Sequence, residues 1–194
     1  AYYIQDALNL AVDPNDPTHT YVAYYGEGIL ELKNDTVLNW FNLTNSSLET
    51  STGTNNRYIR IGSTTLDKEG NLWITNCNST YSIKIYTADG QWINYSNSTI
   101  AKAPIIDKIL ITKQGYKFVN FIHSTKSGFF ALNDNGTVTD QSDDVSEYYA
   151  AVSDNQGNTL DASMFYCMTE DKDGYIWAGT NIGPIVCYLS LIHI

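Results

Sequence analysis

Apolar and polar residues alternate in short runs along most of the chain. Residues 8–12, 21–24, 28–32 and 37–41 carry the pattern first, and 59–66, 81–86 and 91–95 carry it again. A period of two is the mark of a half-buried β-strand, whereas a helix needs apolar residues at every third or fourth position. No stretch shows the helical spacing convincingly, so no substantial helix is expected. Turn signals separate the runs: Asp13-Pro14-Asn15-Asp16-Pro17 after the first, and Ala88-Asp89-Gly90 between two later ones. The pattern predicts an all-β chain of antiparallel hairpins.

An internal repeat organises these runs. Leu66-Asp67-Lys68-Glu69-Gly70-Asn71-Leu72-Trp73-Ile74-Thr75 returns as Glu170-Asp171-Lys172-Asp173-Gly174-Tyr175-Ile176-Trp177-Ala178-Gly179-Thr180. A weaker copy reads Ile111-Thr112-Lys113-Gln114-Gly115-Tyr116-Lys117-Phe118-Val119. In each, a glycine stands just upstream of a large aromatic: Gly70 and Trp73, Gly115 and Phe118, Gly174 and Trp177. Asp-x-x-Gly is a tight-turn signal, because Asp accepts backbone N–H bonds and Gly supplies the positive φ. The aromatic then suits a strand packed on one face.

With the flanking runs, each copy makes a four-stranded antiparallel unit, and a more divergent unit starts the chain. Repeated units of about 40–50 residues read as β-propeller blades. Residues 1–188 are therefore expected to be an incomplete propeller with blades at about 5–44, 57–100, 104–140 and 164–188. The spacing from Gly115 to Gly174 exceeds that from Gly70 to Gly115, so the third blade carries a surplus. It is placed at 140–163, a polar stretch without strand alternation, and is read as an acidic insertion.

Composition narrows the function. The chain has 194 residues and a net charge of −10, is 13% aromatic, and only 16% of its residues are charged. Such a chain is not intrinsically disordered, and its longest apolar run is too short to span a bilayer as a helix. Nucleic-acid binding is not expected, since that footprint needs clustered Lys and Arg, and the only arginines are Arg57 and Arg60. Cys77, Cys167 and Cys187 form no C-x-x-C, which argues against a zinc or thioredoxin-like site. Three buried free thiols is the favoured reading, and a Cys167–Cys187 bridge is the alternative. No signal peptide is visible after Ala1. Residues 189–194 read as the translation of a sequencing-library adapter, a non-native tail, and are left out of the argument.

The repeats resemble the two-component-regulator propeller family, whose core is D-x-x-G-x-[IL]-W-[IV]-G-T. Asp171 through Thr180 departs from it only at Ala178; the copy at Asp67 has Thr75-Asn76 in place of Gly-Thr. The resemblance implies a seven-bladed ring, typically in periplasmic sensor regions of hybrid histidine kinases. It also implies a scaffold role for Asp67, Gly70, Trp73, Gly115, Phe118, Asp171, Gly174 and Trp177, with Trp73 and Trp177 packed between blades. A narrower likeness is to the first propeller of PorZ-like type IX secretion components, carried by Tyr21 through Leu30, Gly70 through Asn76, and Asn133 through Thr137. It implies a periplasmic or outer-membrane location and a protein, glycan or lipopolysaccharide partner.

Catalytic chemistry is not expected. No G-x-S-x-G, P-loop or H-E-x-x-H occurs; His19 and His123 are far apart and read as solvent-facing. Asp171-Lys172-Asp173-Gly174 opens like a calcium loop, but nothing acidic follows Asp173. No metal and no cofactor are therefore expected. Two features carry a binding expectation. Arg57, Tyr58 and Arg60 lead into the inner strand of the second blade, where propeller loops collect ligand contacts. They suit an anionic or sugar-like group, although a surface salt bridge with nearby acids is the favoured reading. The second is the acidic stretch, where Asp143, Asp144, Glu147, Tyr148 and Tyr149 could dock a basic partner, although a solvated excursion is the favoured reading. The leading expectation is a non-catalytic envelope recognition propeller. The alternatives are a hybrid-kinase sensor and a propeller lyase or glycosidase whose active site lies in other blades.

Overall fold

The computed structural model describes residues 6–52, 58–122 and 128–187. All elements among them are strands. The chain divides into two compact units, one ending at Ile109 and one starting at Leu110.

In the first unit, β1 (Ala7–Asp13), β2 (Asp16–Gly26), β3 (Gly28–Lys33) and β4 (Thr36–Phe41) form an antiparallel series. The next series is β5 (Ile59–Leu66), β6 (Leu72–Asn76), β7 (Ile83–Tyr86) and β8 (Trp92–Tyr95). Both match the expected hairpins. The difference is β2, which runs to Gly26, past its pairing with β1. Tyr25 pairs with Arg60 and Gly26 with Ile59, so β2 joins β5 and the two series share one sheet. Tyr21, Ala23, Ile29 and Phe41 pack in one core with Ile59, Ile61, Leu72 and Ile74. That apolar burial is what holds the two series together.

The repeated turn explains its own residue choices. Asp67 accepts the Trp73 indole N–H at 2.9 Å and the Asn71 amide N–H at 2.8 Å, while Gly70 N–H closes the turn on Asp67 O. Asp171 does the same for Trp177 at 2.7 Å and Tyr175 at 3.0 Å. In the third copy Thr112 replaces Asp and Phe118 replaces Trp. The hydroxyl still accepts Tyr116 N–H at 3.0 Å, and the aromatic has no N–H to satisfy. Donor and acceptor are lost together, which avoids a buried unpaired group.

The second unit holds a sheet of β9 (Ile106–Ile111), which runs across the boundary, β10 (Lys117–Phe121), β11 (Phe129–Asn133) and β12 (Val145–Tyr149). A two-stranded hairpin of β13 (Val152–Ser153) and β14 (Thr159–Leu160) follows. Then come β15 (Phe165–Glu170), β16 (Ile176–Thr180) and β17 (Gly183–Cys187). Phe118, Phe129, Ala131, Phe165, Ile176 and Ala178 form the core.

Three expectations change here. Residues 140–163 are not a strandless insertion: β12 pairs along β11, with Phe130 opposite Tyr148 and Leu132 opposite Ser146. An outermost strand buries little, so its composition stays polar and its alternation is hidden. Trp73 is fully buried, but Trp177 is 44% exposed, its indole N–H bonded to Asp171. Of the cysteines, all free, Cys77 is buried while Cys167 is exposed and Cys187 half-buried, and no bridge joins them.

Candidate ligand-binding site

Strand directions alternate, so the β2–β3 turn, the β4–β5 connection and the β6–β7 turn all fall at one end of the first unit. Tyr25, Tyr58 and Arg60 stand there. Ile59 and Ile61 point into the core, at 1% and 0% exposure; the two-residue period therefore turns Arg60 to the opposite face. Register places it beside Tyr25. The guanidinium carbon lies 4.6 Å from the Tyr25 ring centre and 5.5 Å from that of Tyr58. The two rings meet edge to face, 6.1 Å apart. Gly26, at φ 128°, makes room: a Cβ there would stand 2.8 Å from the Tyr58 ring.

The backbone beneath the site is tied down by residues 49–52. Ser51 N–H donates to Tyr58 O at 2.8 Å, and Arg60 N–H donates to Ser51 Oγ at 3.0 Å. Ser51 Oγ in turn donates to Cys77 O at 2.7 Å. Glu49 accepts Thr80 N–H at 2.8 Å and the Lys84 ammonium at 2.7 Å. Lys84 is fully buried, and that burial pulls its pKa down against the pull of Glu49. Burial also works to raise Glu49, but the bonds from Lys84 and the Thr80 amide outweigh it and hold the carboxyl below its ordinary value. Burial pushes the Cys77 thiol up to about 11, so it places no negative charge near Arg60 at neutral pH.

Of the residues expected to bind a ligand, Tyr58 and Arg60 come together, whereas Arg57 lies outside the described residues. The expected salt-bridge alternative for Arg60 is not what forms, since no acidic side chain among the described residues pairs with it. Tyr25 was not expected. Its only signal is that the β2 run continues through Tyr24-Tyr25 to Gly26.

The acidic stretch differs from its expected form. Tyr148 packs edge-on against Phe121 at 5.7 Å, and Tyr149 stacks on Phe129 at 4.9 Å. Both rings are half-buried anchors of β12 rather than free handles, because β12 must cover the outer side of β11. Glu147 is exposed on the same strand, and Asp143 is exposed just before it. Asp144 is raised to about 6, first by burial and then by the carboxylates of Asp134 and Asp143. Asp134 itself is buried against Lys117 at 2.6 Å.

His19 is not solvent-facing. Its ring lies 2.8 Å from Glu31 and 3.5 Å from Asp13, and Tyr21 O–H also donates to Glu31. Asp13 and His19 hold the sequence spacing of Asp67 and Trp73, so this network is the first unit's version of the turn bond. Among the described residues no group of His, Cys, Asp and Glu is arranged to hold a metal.

Comparison with known proteins adds the fold's name. The two component regulator propeller family model matches residues 159–181. No curated protein sequence matches the chain. Among solved structures, PorZ, an essential bacterial surface component of the type-IX secretion system of Porphyromonas gingivalis, superposes with a TM-score of 0.88. That match has 27% identity over 95% of this chain and 25% of PorZ. The extracellular domain of a B. thetaiotaomicron protein assigned to a hybrid two component system gives 0.61 at 19% identity, over 94% of this chain and 22% of its own. A second such domain gives 0.60 at 14%, over 93% and 22%. The chain thus spans about a quarter of the length of the structures it matches. It is an all-β propeller segment that carries a two component regulator propeller repeat.

Proposed function

We propose that the chain is part of a PorZ-like recognition propeller at the bacterial cell surface, acting in type IX secretion by binding rather than by catalysis. The observation that carries this reading is the superposition on PorZ, whose TM-score of 0.88 stands well above the 0.61 of the sensor domain over nearly the same residues. The partner is a secreted protein or an envelope glycan such as lipopolysaccharide, met at the end of the blades where Tyr25, Tyr58 and Arg60 stand. No residue is assigned a catalytic role. Enzymatic turnover by the whole protein, abolished by a substitution at that end, would overturn the binding reading.

The second reading is a periplasmic ligand-sensing propeller of a hybrid histidine kinase, favoured by the repeat match at 159–181. Location separates the two. An epitope tag on the whole protein should be labelled by antibody on intact cells if it works in secretion. Labelling only after the outer membrane is opened, with the protein retained in the inner membrane, would favour the sensor.

A further inference from the structure

Arg60 is one of two arginines in a chain with 21 acidic residues, and all those acidic side chains lie among the described residues. None pairs with Arg60, although carboxylates take up Lys33, Lys84 and Lys117. The guanidinium instead lies against two tyrosine rings. Rings attract the cation but offer its N–H groups no lone pairs in the guanidinium plane. Its Nε is buried and has no hydrogen-bond partner among the described residues. The side chain as a whole is only partly buried, so its outer edge is reachable. The backbone on both sides is fixed by Ser51 and Cys77, so the group is held in place before any ligand arrives.

We propose that Tyr25, Tyr58 and Arg60 form a binding site for an oxyanion, a carboxylate or a phosphate ester borne by the recognised molecule. The planar edge of a guanidinium matches two oxygens of either group through parallel N–H bonds, a geometry that an ammonium cannot supply. The two rings fix the plane of the fork and shield it from water, which strengthens a charge-assisted bond. The inference rests on the recognition reading only in that a ligand is expected at this end.

The chain's two arginines make the test simple. In a 15N-labelled sample of the 194-residue chain at low temperature, two Arg Nε–H cross-peaks are expected. Arg60→Lys assigns one of them by its loss. Titration with sodium acetate and with methyl phosphate, each against sodium chloride at equal ionic strength, should move the Arg60 peak and saturate on the order of millimolar, the range open to ligands of a few atoms. A larger effect of acetate points to a carboxylate ligand, and of methyl phosphate to a phosphate ester. Arg60→Lys should weaken the accompanying shift of the Gly26 amide about tenfold, because the charge remains and the fork is lost. Tyr58→Leu should weaken the Arg60 shift as well, and serves where Arg60→Lys loses its dispersed spectrum. An Arg60 peak that follows only the chloride control, in a spectrum of a folded protein, overturns the site. Binding of a neutral glycan or a cargo protein alongside that result would leave the recognition reading standing and this inference rejected.

Discussion

At the scale of single residues, the turn Asp and the strand aromatic act as a pair. Asp67 is buried and holds the Trp73 indole, whereas the third copy has Thr112 at the turn and Phe118, which has no donor, on the strand. A hydrogen bond to a charged group is worth about 1.5–3 kcal/mol, so Asp67→Ala should destabilise by about that amount. Converting both residues to the third copy's choice, Asp67→Thr with Trp73→Phe, should cost less than the two single changes added together, by about 1 kcal/mol or more. Urea unfolding midpoints measure this, and strict additivity would contradict the pairing. A second residue-scale expectation concerns pH. Asp144 titrates at about 6 when folded, above its ordinary 3.8. Its folded form therefore prefers the proton. The penalty is absent below about pH 4, grows as pH rises towards 6, and is complete above that. Asp144→Asn should raise the melting temperature at pH 8 and leave it unchanged at pH 4. Equal effects at both pH values would refute the shift.

At the scale of elements, the strap formed by residues 49–52 depends on one ion pair. Removing Glu49 would leave the fully buried Lys84 ammonium with Asn94 as its remaining side-chain oxygen. Breaking a buried pair from one side costs about 3–5 kcal/mol, so Glu49→Ala should be strongly destabilising. The carboxyl's folded pKa lies below its ordinary 4.5. The stability it contributes is thus present above pH 4.5 and is lost as pH falls through the lower folded value. A chemical-denaturation series from pH 7 to 3 should show wild type converging on Glu49→Ala. A constant gap would contradict it. The blade strands were legible because turn chemistry and alternation are local: Asp67, Gly70 and Trp73 announce a hairpin without knowledge of the rest. The pairing of Tyr25 with Arg60 was not, since it joins strands from different repeats, and the one local mark, the continuation of the β2 run through Tyr24-Tyr25 to Gly26, does not say which strand it meets. β12 was missed for a different reason. An edge strand exposes one face and one row of backbone groups, so a polar sequence such as Val145-Ser146-Glu147-Tyr148-Tyr149 suits it and reads like loop.

At the scale of the whole molecule, the repeats are chemically alike but differ in burial. Trp73 is enclosed, while Trp177, opposite Val186 in the register, lies on an exposed face of β16 and β17. Trp73→Ala should cost about 3–5 kcal/mol, as for other buried aromatics. The same change at Trp177 should cost far less, and iodide should quench Trp177 but not Trp73. Comparable destabilisation would mean that the exposed face is covered in solution. The propeller repeat was legible from the motif alone, because Asp, Gly and Trp at fixed spacing each serve one bond or turn in it. The setting of Arg60 was not legible, because an arginine in a sequence does not reveal whether an acid will meet it. Only the structure shows that acids from the same chain leave Arg60 to two tyrosines.

The central claim, that this propeller segment serves surface recognition in type IX secretion, is tested most directly by deleting the whole gene in its own host. The amount of type IX cargo released into the medium is then measured. The account predicts that cargo stays with the cells and that the intact gene restores release. Unchanged release, with loss instead of a transcriptional response to a glycan, would contradict it.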